Sequence, residues 1–290
     1  MRLNRVDIAL LPAEAAELRA DCYVVVDALR ATTTIAAFLS RGAASVTVVD
    51  SEDSARRTAR ERGAVLAGEV GGLPPEGFDT GNSPVEAMEL GLDGREVVMF
   101  TTNGTLALCG ASALGPTFAG ALTNARTVAE RCGSFEHVAF VCAGNGGGTV
   151  FSLEDFAVSG AIARELCGRG RESSRRGVSR KDEDGQGAKP SPSFPLPSQG
   201  RGKPKPRRNG DRLFPEMETG DSVQLALHAL GEGSGADGVE WMVRSGKHAE
   251  SLRAIGLDAD IDFACRADIM DVAPQVRDFG PGWAQLEASG

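Results

Sequence analysis

The chain has 290 residues and a formal net charge of −9 at pH 7, with 41% hydrophobic and 5% aromatic residues, enough apolar material for one large domain or two smaller ones built mostly on Val, Leu, Ala and Ile. No stretch approaches the roughly 20 apolar residues that span a bilayer, and Pro12, Glu14 and Glu17 break up the opening too soon for a secretory leader. The six cysteines form no C-x-x-C pair, so a soluble, cytoplasmic protein with buried free thiols is expected, not a disulfide or zinc scaffold.

In chain order, "CYVVVDALRATTTIAAFLSRG" reads as strand, polar loop and helix. Shorter strands follow at "ASVTVVD" and "AVLAGEV", with a helix between them over "SEDSARRTARERG". Next comes a long Gly/Pro-rich loop that carries two isolated carboxylates, Glu69 and Asp79, and ends in Gly81-Asn82-Ser83-Pro84. Ser followed by Pro is an ordinary helix opening, so Ser83 reads as a cap. Long loops in compact domains are commonly functional, which makes Glu69 or Asp79 a candidate ligand for magnesium or substrate. "EVVMFTTNGTLALCGASALG" and "EHVAFVCAGNGGGTVFSLEDFAVSGAIARELCG" then repeat the strand–loop–helix theme.

Residues 169–212 break that theme. They hold 13 Lys+Arg and 5 Asp+Glu, a net of +8; subtracted from totals of 31 and 40, this leaves 18 and 35, a net of −17, for the remainder. With many prolines and no apolar periodicity, the segment is expected to be a disordered, basic, Pro/Gly/Ser-rich insertion. Residues 1–168 and 213–290 then make one α/β catalytic region, with room for two subdomains. Val/Ile/Phe runs alternating with helical stretches predict a three-layer α/β/α fold on a largely parallel or mixed sheet.

In such a sheet, ligands bind beyond the carboxyl ends of the strands. Those ends read Asp27, Arg30, Thr32, Thr33, Thr34 after the first strand; Thr101, Thr102, Asn103, Gly104, Thr105 after "VVMF"; and Asn145, Gly146, Gly147, Gly148, Thr149 after "AFVCAG", followed by Ser152, Glu154 and Asp155. Each leads into a helix, whose N–H groups and positive dipole end suit an oxyanion such as phosphate. Any one loop reads equally well as a helix cap; the three together, with Arg30, read as a site. No GxxxxGK[ST], no GxGxxG after the first strand and no G-x-S-x-G is present. His137, His228 and His248 lie in no phosphohistidine setting, the last two reading as surface residues. The "DADID" stretch at 258–262 lacks the Val-rich strand that an aspartate-nucleophile pair would follow, so it is left outside the site.

The stretches "VVVDALRATTTI", "AGEV…GFDTGNSP", "TTNGTLAL", "GALTNA" and "VCAGNGGGTVFSLEDFAVSGAIA", with a weaker "SLRAIGLDADIDFACRADIMDVAP", resemble the 2-phosphosulfolactate phosphatase family over nearly the whole chain except 169–212. The resemblance implies a three-layer α/β/α fold. It also implies magnesium-dependent hydrolysis of a phosphate monoester, 2-phosphosulfolactate to sulfolactate and phosphate, on the way to coenzyme M. On that basis Asp27, Arg30, Glu69 and Asp155 are the catalytic candidates. Asp27, Glu69, Asp79, Glu154 and Asp155 are the candidate magnesium ligands. Arg30 would clamp the phosphate, or the sulfonate or carboxylate of the substrate. Thr32, Thr33, Thr101, Thr102, Asn103, Gly104, Thr105 and Gly146 would hold the substrate, with Asn82 and Asn124 in support. Two routes stay open: a carboxylate not bound to metal activates water, or Asp27 is itself the nucleophile.

The expected partner is thus a small phosphorylated acid, sulfonated or carboxylated, with no membrane. Nucleic acid is not an expected partner, the basic insert being the only feature that points to one, and a homo-oligomer is the base-rate expectation. Two alternatives stand beside this reading: a phosphatase or transferase for another small phosphorylated acid, and a non-catalytic anion-binding protein. The carboxylates argue against the second, since a plain anion receptor would not surround its ligand with them unless a cation lay between.

Overall fold

All five residues of Cys22–Val26 and of Ser45–Val49 are buried, as expected of strands covered on both faces; a strand covered on one face only would alternate buried and exposed residues. The computed structural model describes residues 3–178, 217–231 and 236–289. Strands β1 (Arg5–Ala9), β2 (Cys22–Val26), β3 (Ser45–Val49), β4 (Val65–Gly68), β5 (Glu96–Phe100), β6 (Thr117–Gly120), β7 (His137–Cys142), β8 (Glu218–Thr219), β9 (Ala273–Gly280) and β10 (Trp283–Ser289) form one sheet. Its order is β4-β5-β3-β10-β9-β6-β2-β7-β1-β8. The helices are α1 (Ala15–Leu18), α2 (Ala31–Ser40), α3 (Glu52–Arg62), α4 (Pro84–Glu89), α5 (Gly104–Ser112), α6 (Ala125–Cys132), α7 (Leu153–Val178), α8 (Asp221–Ala229), α9 (Ala236–Ser245), α10 (Lys247–Ala254) and α11 (Asp258–Ala264).

The alternation along β2 shows the layers. Cys22, Val24 and Val26 face a cluster with Val128 of α6 and Ile162 and Leu166 of α7. Tyr23 and Val25 face Ile35 and Phe38 of α2 and Leu108 of α5 on the other side. This is the three-layer α/β/α architecture, on a mixed sheet. Helix signals sit where the residues put them: Ser51 accepts the Ser54 N–H to cap α3, and Ser83 accepts the Glu86 N–H at 3.2 Å to cap α4.

Two parallel groups, β4-β5-β3 and β6-β2-β7-β1-β8, are joined by the antiparallel pair β9–β10, which the sequence reading did not single out. The outer part of β9 is exposed and polar around Arg277 and Asp278, so the strand lacks the apolar run that marks its neighbours. Because β9 and β10 reverse direction, the two groups run in opposite senses, yet their carboxyl ends meet. A twist of roughly 20–25° per strand would accumulate to the order of 100° over the five steps from β5 to β2, enough for the carboxyl ends of oppositely running groups to face one cleft. Helix α7 continues to Val178, ten residues into the expected insertion. The remainder of that segment, 179–212, lies outside the described residues, and the chain on either side of it shares the one sheet.

Candidate active site

The loop after β2 is pinned by its own polar side chains. Thr32 Oγ1 accepts the Asp27 N–H at 3.0 Å and lies 2.9 and 2.8 Å from the carbonyls of Asp27 and Gly120. Thr33 Oγ1 donates to the Ala28 carbonyl at 2.8 Å. Both hydroxyls are buried and spent on backbone, so they shape the loop. Asp27 Oδ1 accepts the Ala31 N–H at 3.2 Å. Its Oδ2 faces the first residue of α5: a Cβ on Gly104 would lie 2.5 Å from Oδ2 and 2.5 Å from Ala31 Cβ. Only glycine lets α5 begin there. Gly104→Ala is expected to cost about 1–3 kcal/mol and to lower activity, read from the urea midpoint and an assay on one preparation; unchanged behaviour would mean that α5 does not press on Asp27.

Other carboxylates staple the loops together. Asp155 Oδ1 accepts the Ala28 N–H at 2.9 Å and Oδ2 the Gly144 N–H at 3.0 Å, tying the loop after β2 to the loop after β7. Glu69 Oε1 accepts from Thr102 N and Oγ1, both at 2.9 Å, and Oε2 accepts the Gly72 N–H at 2.7 Å. Asn103 Oδ1 accepts the Gly147 N–H at 2.9 Å, joining the loops after β5 and β7. Thr101 and Thr105 close a turn on each other. Gly146, exposed and with φ 58°, gives its carbonyl to Thr149 Oγ1.

Two predicted site residues are not brought into this cluster. Asp79 is exposed, and its Oδ2 accepts the Leu66 N–H at 2.8 Å along the edge of β4. Asn124 is buried with its amide spent on Ala121, Ala119 and Val272 backbone groups. Asn82 is buried behind α2; its carbonyl receives Thr34 Oγ1 at 3.1 Å and its Oδ1 has no partner.

Arg30 is 3% exposed and already held: Nη1 donates to Asp260 Oδ2 at 2.6 Å and Nη2 to the Gly72 carbonyl at 2.7 Å, while Nε is buried without a partner. Ser83 Oγ donates to the other Asp260 oxygen. Asp260, on α11, thereby belongs to the site from which the sequence reading excluded it. The aspartate does not follow a strand; it arrives from a helix late in the chain and fixes a cation. His248 is the second correction. Read as a surface residue, it is half-buried in the first turn of α10. Burial holds its imidazole below the usual range against the pull of Glu154 and Glu69, with Arg30 adding to the lowering. A lone histidine between Lys247 and Ala249 carries no periodic signal that could have announced this.

Glu154, at the start of α7, is 2% exposed. Gly246, the N-cap of α10, sits so close to it that a Cβ there would overlap Glu154 Oε2. Of the carboxylates around this point, Asp27 Oδ2 and both oxygens of Glu154 receive no donor among the described residues. Burial pushes Asp27 up to about 7, the Ala31 N–H opposing and the charges of Glu69 and Glu154 adding to the rise. Asp155 is also pushed well up, by burial first and then by Asp27 and Glu154.

Among the described residues no three His, Cys, Asp or Glu side chains are gathered closely enough to hold a metal by themselves. What fits magnesium is the pair Asp27 Oδ2 and Glu154, since that ion commonly takes one or two carboxylates and completes its shell with water and substrate oxygens. Because Asp27 and Asp155 keep their protons to higher pH in the folded chain than in the unfolded one, the folded state binds more protons between roughly pH 4 and 7. Stability measured in EDTA is therefore expected to fall as pH rises through this window. Added magnesium should restore more at about pH 8 than at about pH 5, where protons compete. A stability that rises across the window would contradict the buried, crowded carboxylates.

One family profile, 2-phosphosulpholactate phosphatase, matches residues 10–184. A protein of Thermotoga petrophila called a probable 2-phosphosulfolactate phosphatase is 29% identical over 269 residues, covering 93% of this chain and 94% of its own. One of Deinococcus radiodurans with the same description is 31% identical over 260 residues, covering 88% and 87%. One of Thermus thermophilus, also so described, reaches 42% over a shorter 149 residues, covering 50% and 62%.

Proposed function

The chain belongs to the 2-phosphosulpholactate phosphatase family, and from that premise we propose that it is a phosphoric monoester hydrolase that converts 2-phosphosulfolactate to sulfolactate and phosphate with the help of magnesium. The observation that carries the proposal is the pair of buried carboxylates Asp27 and Glu154, close enough for their charges to act on each other and with Asp27 Oδ2 and Glu154 left without a donor among the described residues, Asp27 Oδ2 facing the first residue of α5 and Arg30 acting on it.

Phosphate-monoester hydrolysis asks mainly for positioning and for charge around a loose transition state. Asp27 Oδ2 and Glu154 would hold the magnesium ion, which supplies positive charge against the phosphoryl oxygens when bound. The start of α5 turns its positive dipole end toward Asp27, and Arg30, clamped by Asp260 and the Gly72 carbonyl, contributes a fixed cation. As water oxygen bonds to phosphorus and the bond to the substrate oxygen breaks, one proton must leave the water and one must reach the departing alkoxide. Asp27, pushed up to about 7 in the metal-free cleft, would be ionised as a ligand of the ion, so the water proton would pass by way of a phosphoryl oxygen to the departing alkoxide. Thr102 and Asn103 fix Glu69 and the Gly147 loop and so hold the walls of the cleft. No helix of the described residues is long and apolar enough to cross a membrane.

The test is phosphate release from 2-phosphosulfolactate and a panel of other phosphorylated acids, with magnesium and with EDTA. Turnover that chelation abolishes, highest on 2-phosphosulfolactate, is the expected outcome. Preference for another acid would move the substrate, and turnover in EDTA would remove the metal.

A further inference from the structure

Arg30 reads in the sequence as a clamp for the substrate, but its surroundings leave it no such reach. The side chain is 2% exposed, and Nε is buried with the rest. A phosphoryl oxygen needs an open N–H edge, and this guanidinium offers none without displacing the chain packed on it. Both Nη atoms are committed as well, Nη1 to Asp260 on α11 and Nη2 to the Gly72 carbonyl.

The contacts continue on either side of Arg30. Behind it, the other oxygen of Asp260 accepts the Ser83 hydroxyl, and Ser83 Oγ accepts the Glu86 N–H in the first turn of α4. Ahead of it, the Gly72 N–H goes to Glu69 Oε2 at 2.7 Å, and Glu69 Oε1 accepts from Thr102 N and Oγ1, both at 2.9 Å. Gly72 fits between Arg30 and Glu69 because the turn Val70–Leu73, closed by hydrogen bonds between its end residues, sets Gly71 and Gly72 at φ 64° and 87°. Glycine adopts that conformation without strain. The result is an unbroken chain of polar contacts, Ser83–Asp260–Arg30–Gly72–Glu69–Thr102, which runs from α4 and α11 to a point two residues before α5 begins. Its members are buried or half-buried, so a broken link is not simply replaced by bulk water.

We propose that Arg30 is a positioning residue for the reaction. With Asp260 and Ser83 behind it, Arg30 holds the Gly72 turn and, through Glu69, the Thr102 end of the loop that sets Gly104 against Asp27 Oδ2. It touches no substrate atom. This rests on reading the cleft as a phosphatase site. A lost link lets the start of α5 drift, and a displacement of about 1 Å there costs on the order of 10²-fold in rate, with much less effect on the ground-state affinity for phosphate.

The test is a double-mutant cycle in kcat on the full chain with magnesium. Asp260→Asn keeps the side-chain shape and one acceptor; Thr102→Val removes the Oγ1 donor and keeps the Thr102 N–H. Each should lower kcat about tenfold or more with KM changed less than kcat, and the double variant should fall no further than the more affected single one. Losses that multiply would make the two ends independent and overturn the relay. Calorimetry with inorganic phosphate and magnesium is the second measurement, on the Arg30→Met, Asp260→Leu double variant, in which no buried charge is stranded. Its phosphate affinity should stay within about threefold of the unsubstituted chain's, whereas loss of a direct contact would lower it at least about tenfold, the worth of one charged hydrogen bond, and overturn the positioning role. If the unsubstituted chain turns over no phosphorylated acid, the phosphatase reading fails and hydrogen exchange decides the relay: faster exchange at the Gly72 and Thr102 amides in Asp260→Asn upholds it, and unchanged exchange overturns it.

Discussion

Asp27→Asn is expected to lower kcat for phosphate-monoester hydrolysis by a factor on the order of 10²–10⁴ in a protein that remains folded. The substitution keeps the shape and the acceptor for the Ala31 N–H, while it removes the charge at the oxygen that faces Gly104. Ionised Asp27 is a cost to the fold, since burial and the charges of Glu69 and Glu154 push its carboxyl up to about 7. Its neutral isostere should therefore be more stable than the unsubstituted chain above about pH 7, and its stability should decline less between roughly pH 4 and 7. Loss of activity with gain of stability is the signature of a residue strained for function. Asp155→Asn should behave differently, because both Asp155 oxygens accept backbone N–H groups and an amide would set a donor against a donor. Full activity in Asp27→Asn would remove Asp27 from the chemistry.

Asp260→Leu is expected to destabilise the protein by about 3–5 kcal/mol, the largest single stability effect anticipated here. The Arg30–Asp260 pair is 2.6 Å long with both side chains 2% exposed, so removal of the aspartate strands a guanidinium that water cannot reach. It also takes the acceptor from Ser83. An exposed pair such as Arg56–Glu52, about a third exposed on each side, should contribute only about 0.3–0.5 kcal/mol. The double variant Arg30→Met with Asp260→Leu removes both charges and should recover most of the lost stability while remaining inactive. Urea unfolding of the two variants decides this: equal losses in both would mean that the cost is packing and not an unpaired charge.

The parts of this protein that were legible in the sequence are those where local chemistry is decisive. Val-rich runs predicted β2, β3, β5 and β7, and Ser83 announced the start of α4. The three polar strand ends and the Glu69 loop are where the buried carboxylates gather. Less legible were residues whose role depends on distant partners. Thr32, Thr33 and Asn124 read as ligand-binding hydroxyls and amides but serve neighbouring backbone groups. Asp79 lies at an exposed sheet edge. Asp260, set aside in the sequence, stands against Arg30, and His248, read as a surface residue, is half-buried at the start of α10.

By itself the sequence determined the layered α/β class, the family and the polar loops that meet around the buried carboxylates, because strand burial on two faces, helix capping and glycine-rich turns are short-range effects written within a few residues. Only the tertiary structure decided which carboxylates keep free oxygens, and which cation is fixed by whom. Those outcomes depend on the antiparallel β9–β10 pair and the sheet twist that bring two oppositely running groups of strands together, and on helices α10 and α11 folding back some 200 residues onto Arg30, with Arg30 and Asp260 separated by 230 positions. Burial and charge crowding, which set the chemistry of Asp27, exist only once those distant segments have met.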